Sequence, residues 1–547
     1  MDGGGQTDAL VRDPSRLSGR IFDLLVVGGG ILGAGIAWDA SQRGLSCALI
    51  EQGDFASGTS SKTTKLIHGG IRYLENLDFG LVRESIRERH LLLTTAPHLL
   101  QPLPFLIPVS DGNPRPWPIV RAGVILYDLL AGSGRIHKHQ FLSGAQISES
   151  EPVLSGGAIR KGAVYYDAQM DDARMVLEVL RSAVESGAVA ANYVRVSSWI
   201  LENNRVTGAV AEDCLSGASL NIRARVVINA TGPWADRLRR LADASLRPIV
   251  RPSKGIHIVY PDVGLHKALL LSSPSDRRIF FMIPWRGLTL IGTTDTDYEG
   301  NPADAHADRS DVDYLIEGTN RLLPRLRLEK AGVITTFAGV RPLAAQEKKD
   351  PWAVSRTHLI HEDANGLISV VGGKFTTFRR TAQDLVDRAA ALFPEKSLKP
   401  CRTGKTFFGY RSEDWRGDRI NGLMKELLSQ GILYPPQVSR LVQRYGLQAE
   451  PIFQWILSDR EMAQPVCPHH MTLCAEVRFA MQHEMAVSLS DLLWRRFQLG
   501  WSSCQGLDAL GQIAKVAARC AGWSDAQAKE QVDRYRQEVL LQHRYER

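Results

Sequence analysis

Three glycines carry the first chemical signal in this chain. Gly28, Gly30 and Gly33 stand in the spacing Gly-x-Gly-x-x-Gly. That spacing permits a tight turn, lets backbone approach a pyrophosphate and packs a helix closely on a strand. A phosphate then sits at the positive end of the helix. The pattern by itself is weak, but its surroundings are specific. It follows the apolar run Asp23-Leu-Leu-Val-Val27 and opens a helix of small residues at Gly33, Ala34, Ala37 and Ala40. Glu51 ends the next apolar run, Cys47-Ala-Leu-Ile-Glu51, 18 residues beyond Gly33. A carboxylate there accepts ribose hydroxyls and repels a 2′-phosphate. The unit is a βαβ fold of about 30 residues, and it predicts dinucleotide binding.

The segments that follow point to FAD rather than NAD. Gly58-Thr-Ser-Ser61-Lys-Thr-Thr-Lys65-Leu-Ile-His68-Gly-Gly70 begins within ten residues of the second strand. Its hydroxyls at Ser60, Ser61 and Thr64, its two lysines including Lys65, and His68 with Gly69 can neutralise further phosphate and admit a flavin ring. Strands of the same type recur far downstream. Arg225-Val-Val-Ile-Asn229 runs into Ala230-Thr231-Gly232, and Leu367-Ile-Ser-Val-Val371 runs into Gly372-Gly373-Lys374 and Thr376. Val194 is grouped with these as a cofactor-binding position. An NAD enzyme normally completes its site in one compact six-stranded unit, whereas this chain returns to one cofactor several times. The competing reading makes these segments ordinary turns and caps.

The motifs DLLVVGGGILGAGIAWDASQRG, TSSKTTKLIHGGIRYLENLDFGLVRESIRER, NATGPW, IPWRGLTLIGTTD, GVRPL, GGKFTTFR and DLLWRRFQLG occur in this order between about residues 20 and 500. In this the chain resembles the FAD-dependent glycerol-3-phosphate dehydrogenases, a family that includes the respiratory enzymes of bacteria and mitochondria. Leu32 departs from the pattern, because relatives often carry Asn inside the glycine turn. The resemblance implies oxidation of sn-glycerol 3-phosphate to dihydroxyacetone phosphate, with quinone as the electron acceptor. It also implies a protein of the cytoplasm held peripherally on the inner face of the cytoplasmic membrane.

Such a substrate carries a dianionic phosphate and calls for fixed cations. Arginine suits this because its planar fork bonds bidentately and stays charged. The resemblance places Arg72 and Tyr73 of HGGIRY, Arg341 of GVRPL, Arg356 of AVSRTH and Lys374 of GGKFTT around the flavin. Oxidation at C2 also needs a proton acceptor, and histidine has an ordinary pKa of about 6.5. His257, in Ser253-Lys-Gly-Ile-His, matches a family histidine and is the expected base or hydroxyl-binding group, with Arg341 as its catalytic partner; a structural histidine is the alternative. His68 competes for the base role, although its loop is expected to contact cofactor. An arginine-bound water or hydroxide is a third proton acceptor.

These residues need a large frame to position them. At 547 residues, two or three domains are expected. The composition, 44% hydrophobic and 23% charged, is that of a soluble globular protein. No apolar run of about 18 residues occurs, so no spanning helix is expected. The fold class expected is α/β: a Rossmann-like FAD-binding domain, an inserted antiparallel-sheet cap domain, and a helical C-terminal domain. Residues 1–20 read as a disordered arm. The discontinuous FAD-binding domain spans 21–400, with cap insertions at about 90–150 and 236–335. The helical domain spans 401–547, with helices expected at Ala475–Leu499, Leu507–Cys520 and Asp525–Leu541.

Seven scattered cysteines suit a reducing compartment. Cys467-Pro-His-His-Met-Thr-Leu-Cys474 reads as a loop and helix start rather than a metal cluster, and no metal is expected. The net charge of +7 fits a mixed surface or a basic face for anionic partners. Arg115 to Tyr127 mixes cations, a tryptophan and aliphatics. It reads as a core helix or as a basic amphipathic surface for lipid, and the resemblance favours the second. No nucleic-acid partner is expected, and a homodimer is compatible with the chain. Three alternatives remain open: an oxidase of the same scaffold making hydrogen peroxide, an amine or amino-acid oxidase, and a flavin-binding protein without turnover.

Overall fold

The computed structural model describes residues 10–111, 113–156, 158–345, 358–408, 418–543 and 545. The apolar runs assemble as the sequence implies. Five parallel strands lie in the order Val189–Ala191, Cys47–Ile50, Ile21–Val27, Ser219–Asn229 and Ile368–Gly372. His358–Glu362 adds an antiparallel edge. All residues of the first strand after Ile21 are buried, because both faces of the sheet are covered. The helices Ile31–Arg43, Asp172–Glu185 and Phe378–Ala390 pack on one face. An antiparallel ribbon, Val194–Glu202 with Arg205–Asp213, covers the other through Trp199 and Ala209. Four strands of distant origin thus deliver Val27, Ile50, Asn229 and Gly372 to one edge. Ligands of such sheets bind outside that carboxyl edge.

The second sheet has ten strands and is mainly antiparallel. It was expected from insertions at about 90–150 and 236–335, but it draws on a wider stretch. Its strands also include Leu66–Ile67, Ile159–Met170 and Thr335–Ala344. The reason is pairing: Leu100–Ser110 lies along the whole of Ile159–Met170, and Val250–Pro261 lies along Thr335–Ala344. The last pair carries His257 opposite Phe337 and Ser253 opposite Arg341.

Residues 10–20 correct the expectation of a disordered arm over 1–20. Leu10 and Leu17 are fully buried, and Leu10 bridges to Glu484. Arg12 pairs with Asp213 and donates to the Asn192 carbonyl at 3.0 Å. Two apolar side chains and one satisfied guanidinium outweigh the polar composition. Residues 1–9 lie outside the described residues.

The C-terminal part is helical, with a small hairpin of Pro465–Cys467 and His470–Leu473 leading into a helix at Cys474. The helices Leu510–Ala521 and Asp525–Leu541 lie close to their expected spans. The single helix expected over Ala475–Leu499 does not form. It ends at His483, and a π-helical turn follows at Asp491–Arg496. The break frees Glu484 to bind Arg174 of the nucleotide domain, both groups being buried.

Candidate active site

The glycine turn is built by contacts that exclude side chains. Gly28 has φ +116°, and a Cβ there would lie 2.5 Å from the Ala230 carbonyl oxygen. A Cβ on Gly33 would collide with the Gly28 carbonyl oxygen. Gly30 caps the helix in extended backbone, and the Ser60 hydroxyl accepts from the Ile31 N–H at 3.0 Å. Glu51 accepts from the Gly29 N–H at 2.7 Å and the Gly53 N–H at 2.9 Å. Burial pushes its carboxyl up, and these backbone donors oppose the shift. The Val194 N–H donates to the Glu51 carbonyl at 2.7 Å, which brings Val194 to the same wall.

One cavity of about 520 Å³ runs over this turn, and it is lined by Gly28, Gly30, Glu51, Ser60, Thr64, His68, Val194, Thr231, Gly232, Gly372, Gly373, Lys374 and Thr376. Such a volume is usual for a cofactor site. Gly372 and Gly373 have φ of +75° and +81°, as a backbone turning tightly against a ligand requires. Thr376 Oγ1 accepts from the His68 N–H at 3.1 Å and joins the two loops.

Four expected cofactor positions lie behind the cavity wall instead. Gly33 acts by packing, as above. Gly69 donates its N–H to Asp167 at 3.0 Å, and the same carboxylate takes Tyr127 and Arg89. Ser61 and Lys65 are buried below the wall, where the Lys65 ammonium bonds the Ser61 carbonyl at 2.6 Å and Asp172 at 2.8 Å. Of the two lysines, it is Lys62 that lines the cavity. Burial, with Arg495 adding to it, pushes the Lys62 ammonium down to about 8. Nothing in the local sequence separates Lys62 from Lys65; the partner that does so, Asp172, is 107 residues away.

A measurement follows for Lys65. Lys65→Met leaves Asp172 buried without its cation, which is expected to cost about 3–5 kcal/mol of stability. The unfolding temperature should fall in both the flavin-free and flavin-loaded protein. If the variant unfolded at the wild-type temperature, the structural role given to Lys65 would be wrong.

The expected substrate residues converge on the same cavity, which Arg72, Tyr73, His257, Arg341 and Lys374 all line. Arg72 donates to the Tyr73 hydroxyl at 3.0 Å and lies 4.8 Å from that ring's centre. The Lys374 ammonium sits 4.8 Å from the same ring and donates to Ser85 at 2.8 Å. Arg341 is held by Thr293 Oγ1 at 2.9 Å, the Thr294 carbonyl at 3.2 Å and Asp295 at 3.3 Å. Asp295 in turn accepts from Ser253, a strand neighbour of Arg341. Arg356 lies outside the described residues.

His257 stacks on Phe337 at 4.8 Å with ring planes 18° apart, and its Nε2 lies 2.9 Å from Thr64 Oγ1. Burial, reinforced by the positive charges of Arg341 and Lys65, holds its pKa well below the ordinary value. The ring is therefore neutral at physiological pH. Sequence reasoning missed Asp295 and Asp167, which orient an arginine and the His68–Gly69 loop. Both sit in strands or turns where a lone aspartate carries no local signal.

A dinucleotide-type glycine turn and a cluster of cations beside a histidine share one cavity, the arrangement of a nucleotide-dependent enzyme. The family model for FAD dependent oxidoreductases matches residues 23–388. That for the C-terminal domain of alpha-glycerophosphate oxidase matches residues 411–528. Glycerol-3-phosphate dehydrogenase 2 of Mycobacterium tuberculosis is 37% identical, over 95% of this chain and 88% of its own. The glycerol-3-phosphate dehydrogenase of Synechocystis is 36% identical, over 96% and 97%. A solved glycerol-3-phosphate dehydrogenase from Bacillus halodurans, complexed with FAD, is 29% identical with a TM-score of 0.78, covering 97% of each chain. Glycine oxidase from Geobacillus kaustophilus shares the fold at 21% identity, with a TM-score of 0.52 over 72% of this chain and 100% of its own. The chain belongs to the FAD-dependent glycerol-3-phosphate dehydrogenases, and FAD is its cofactor.

Proposed function

We propose that the enzyme oxidises sn-glycerol 3-phosphate to dihydroxyacetone phosphate and passes the electrons to a quinone. The observation that carries this reading is the meeting of Arg72, Arg341 and Lys374 with His257 in the cavity that the glycine turn opens into. Three cations suit a phosphate dianion, whereas the carboxylate of an amino-acid substrate needs one arginine. Bound FAD would supply the acceptor for the hydride leaving C2. Arg341, fixed by Thr293, Thr294 and Asp295, orients the phosphate, and Arg72 and Lys374 share its charge. His257, which lines the cavity with its Nε2 2.9 Å from Thr64 Oγ1, offers a neutral ring to the C2 hydroxyl and takes its proton. The names of the full-length relatives support the same substrate.

The direct test is anaerobic. The yellow protein should bleach on adding glycerol 3-phosphate and regain its colour on adding quinone. A flavin that stays oxidised under substrate would sink the reading. Recovery in air with a full yield of peroxide, and none with quinone, would assign the oxidase reaction instead.

Membrane association belongs to the same reading. No helix among the described residues is long and apolar enough to cross a membrane. Leu77 and Phe79 at the start of the Phe79–Thr95 helix are exposed, as are Ile119 and Leu129 on the Trp117–Ala131 helix that packs against it. Arg83, Arg87, Arg121 and Lys138 are exposed nearby in the sequence. Apolar tips with surrounding cations suit an anionic lipid interface, at about 1 kcal/mol per well-placed cation. High salt should strip the enzyme from membranes, and Ile119→Ser with Leu129→Ser should reduce its sedimentation with anionic vesicles several-fold. Unchanged sedimentation of the double variant would place the contact elsewhere.

A further inference from the structure

The C-terminal domain reaches back to the cofactor loops through charged side chains that the chemistry above does not use. The turn Asp491–Arg496 sets Arg495 and Arg496 next to each other. Arg496 forks onto Asp54 with bonds of 2.7 and 2.8 Å. Arg495 donates to the same carboxylate and to Asp491 at 2.5 Å. Asn192 donates to Asp54 at 3.2 Å, and the Tyr193 hydroxyl donates to Asp491 at 2.7 Å. Asp54, Asp491 and Arg496 are all buried. Burial alone would push the Asp54 carboxyl up, but Arg496 and then Arg495 outweigh it and bring it down to about 2.

This cluster adjoins the loop of Glu51, the carboxylate that in such a βαβ unit accepts the ribose hydroxyls. Asp54 follows Glu51 by three residues, and the Gly53 N–H between them bonds the Glu51 carboxylate. Tyr193 donates its N–H to the Gly53 carbonyl at 2.9 Å, and Val194 donates to the Glu51 carbonyl at 2.7 Å. Glu51 and Val194 line the cavity, whereas Asp54, Arg495 and Arg496 do not. So the two loops that meet the cofactor are tied to each other by backbone, and to the C-terminal domain by buried charge.

We propose that the Asp54–Arg495–Arg496 cluster couples docking of the C-terminal domain to affinity for the adenosine half of FAD, its members acting as positioning residues through Glu51 and Val194. Such coupling is reciprocal: by whatever factor docking tightens the nucleotide, the nucleotide tightens docking. Breaking a buried ion pair that served only to join the domains would destabilise the fold and leave nucleotide affinity where it was. The coupling is independent of the electron acceptor and of the substrate.

The test uses the full-length, flavin-free protein with ADP as the probe, ADP being the adenosine half of the cofactor. Saturating ADP should slow amide hydrogen exchange in residues 484–496 at least tenfold, as FAD should. Asp54→Asn should weaken ADP and FAD binding tenfold or more. Tyr193→Phe, which removes one hydroxyl and keeps the ring, should weaken both about threefold. Arg519→Ala, which breaks an exposed pair with Glu461 elsewhere on the same domain, should leave ADP affinity unchanged. The proposal is overturned if ADP leaves exchange in 484–496 unaltered, or if folded Asp54→Asn or Tyr193→Phe binds ADP as tightly as wild type. Should Asp54→Asn fail to fold, Tyr193→Phe and the wild-type exchange experiment decide the matter.

Discussion

Gly33→Ala is expected to yield a folded protein with little or no bound flavin. The added Cβ would strike the Gly28 carbonyl oxygen, so the turn would have to move. It has no room to do so, because Gly28 itself rests on the Ala230 carbonyl, with space for a hydrogen and not for a carbon. Overpacking of this kind costs about 1–3 kcal/mol, and the displaced backbone also loses its fit to the pyrophosphate. An FAD affinity reduced on the order of a hundredfold is the expected outcome, read as flavin bound per polypeptide after desalting. Gly44→Ala is the matched comparison. Gly44 ends the same helix in a left-handed conformation, at φ +97°, and a Cβ there meets nothing within 4 Å. It should cost about 1 kcal/mol of stability and leave flavin content alone. Full flavin in Gly33→Ala would show that the turn is not the phosphate cradle.

The second large effect is expected from Arg341→Ala: a rise in KM for glycerol 3-phosphate on the order of a hundredfold, with flavin content unchanged. Removing one partner of a desolvated charge pair typically costs about 2–5 kcal/mol. The fork is already bonded on its protein side by Thr293, Thr294 and Asp295, so its position does not depend on the cofactor. Asp295→Asn should shift KM in the same direction by about tenfold, since it loosens the fork and keeps the charge. Steady-state kinetics alongside flavin quantification separate these outcomes. Near-normal KM in Arg341→Ala would remove it from the phosphate site.

What could be read before folding divides by the range of the interactions involved. Gly28, Gly30, Gly33 and Glu51 are legible because one βαβ unit encodes strand, turn, helix and carboxylate within a short span. Arg72, His257, Arg341 and Lys374 come from four separate segments, and no spacing rule brings them together; only the resemblance to a family points to them. Lys65 shows where local reading fails. Its polar, Gly-rich setting is that of a phosphate contact, yet a carboxylate from a later helix takes it into the interior. The helix expected through Leu499 fails similarly. Its apolar periodicity continues past His483, but periodicity does not record the buried Glu484–Arg174 pair that forms where the helix stops. The same holds for residues 10–20, whose polar composition hid two buried leucines.

The order of strands in the nucleotide sheet also sets a timetable. The glycine turn is complete at residue 33, whereas Ile368–Gly372, whose end forms part of the same cavity, is more than three hundred residues further on. At ribosomal rates of about 5–20 residues per second, the turn waits roughly 20 to 70 s for that strand. Throughout this interval the part of Ser219–Asn229 beyond Arg223 has no neighbour on the side that Ile368–Gly372 later takes, Arg205–Asp213 covering only Ser219 to Arg223, and an unpaired parallel edge invites association with other nascent chains. A complete flavin cavity therefore waits until Gly372 to Thr376 of the 547 residues have been made. In cells starved of riboflavin, the nearly finished chain, rather than its early fragments, would be the species exposed to aggregation and proteolysis.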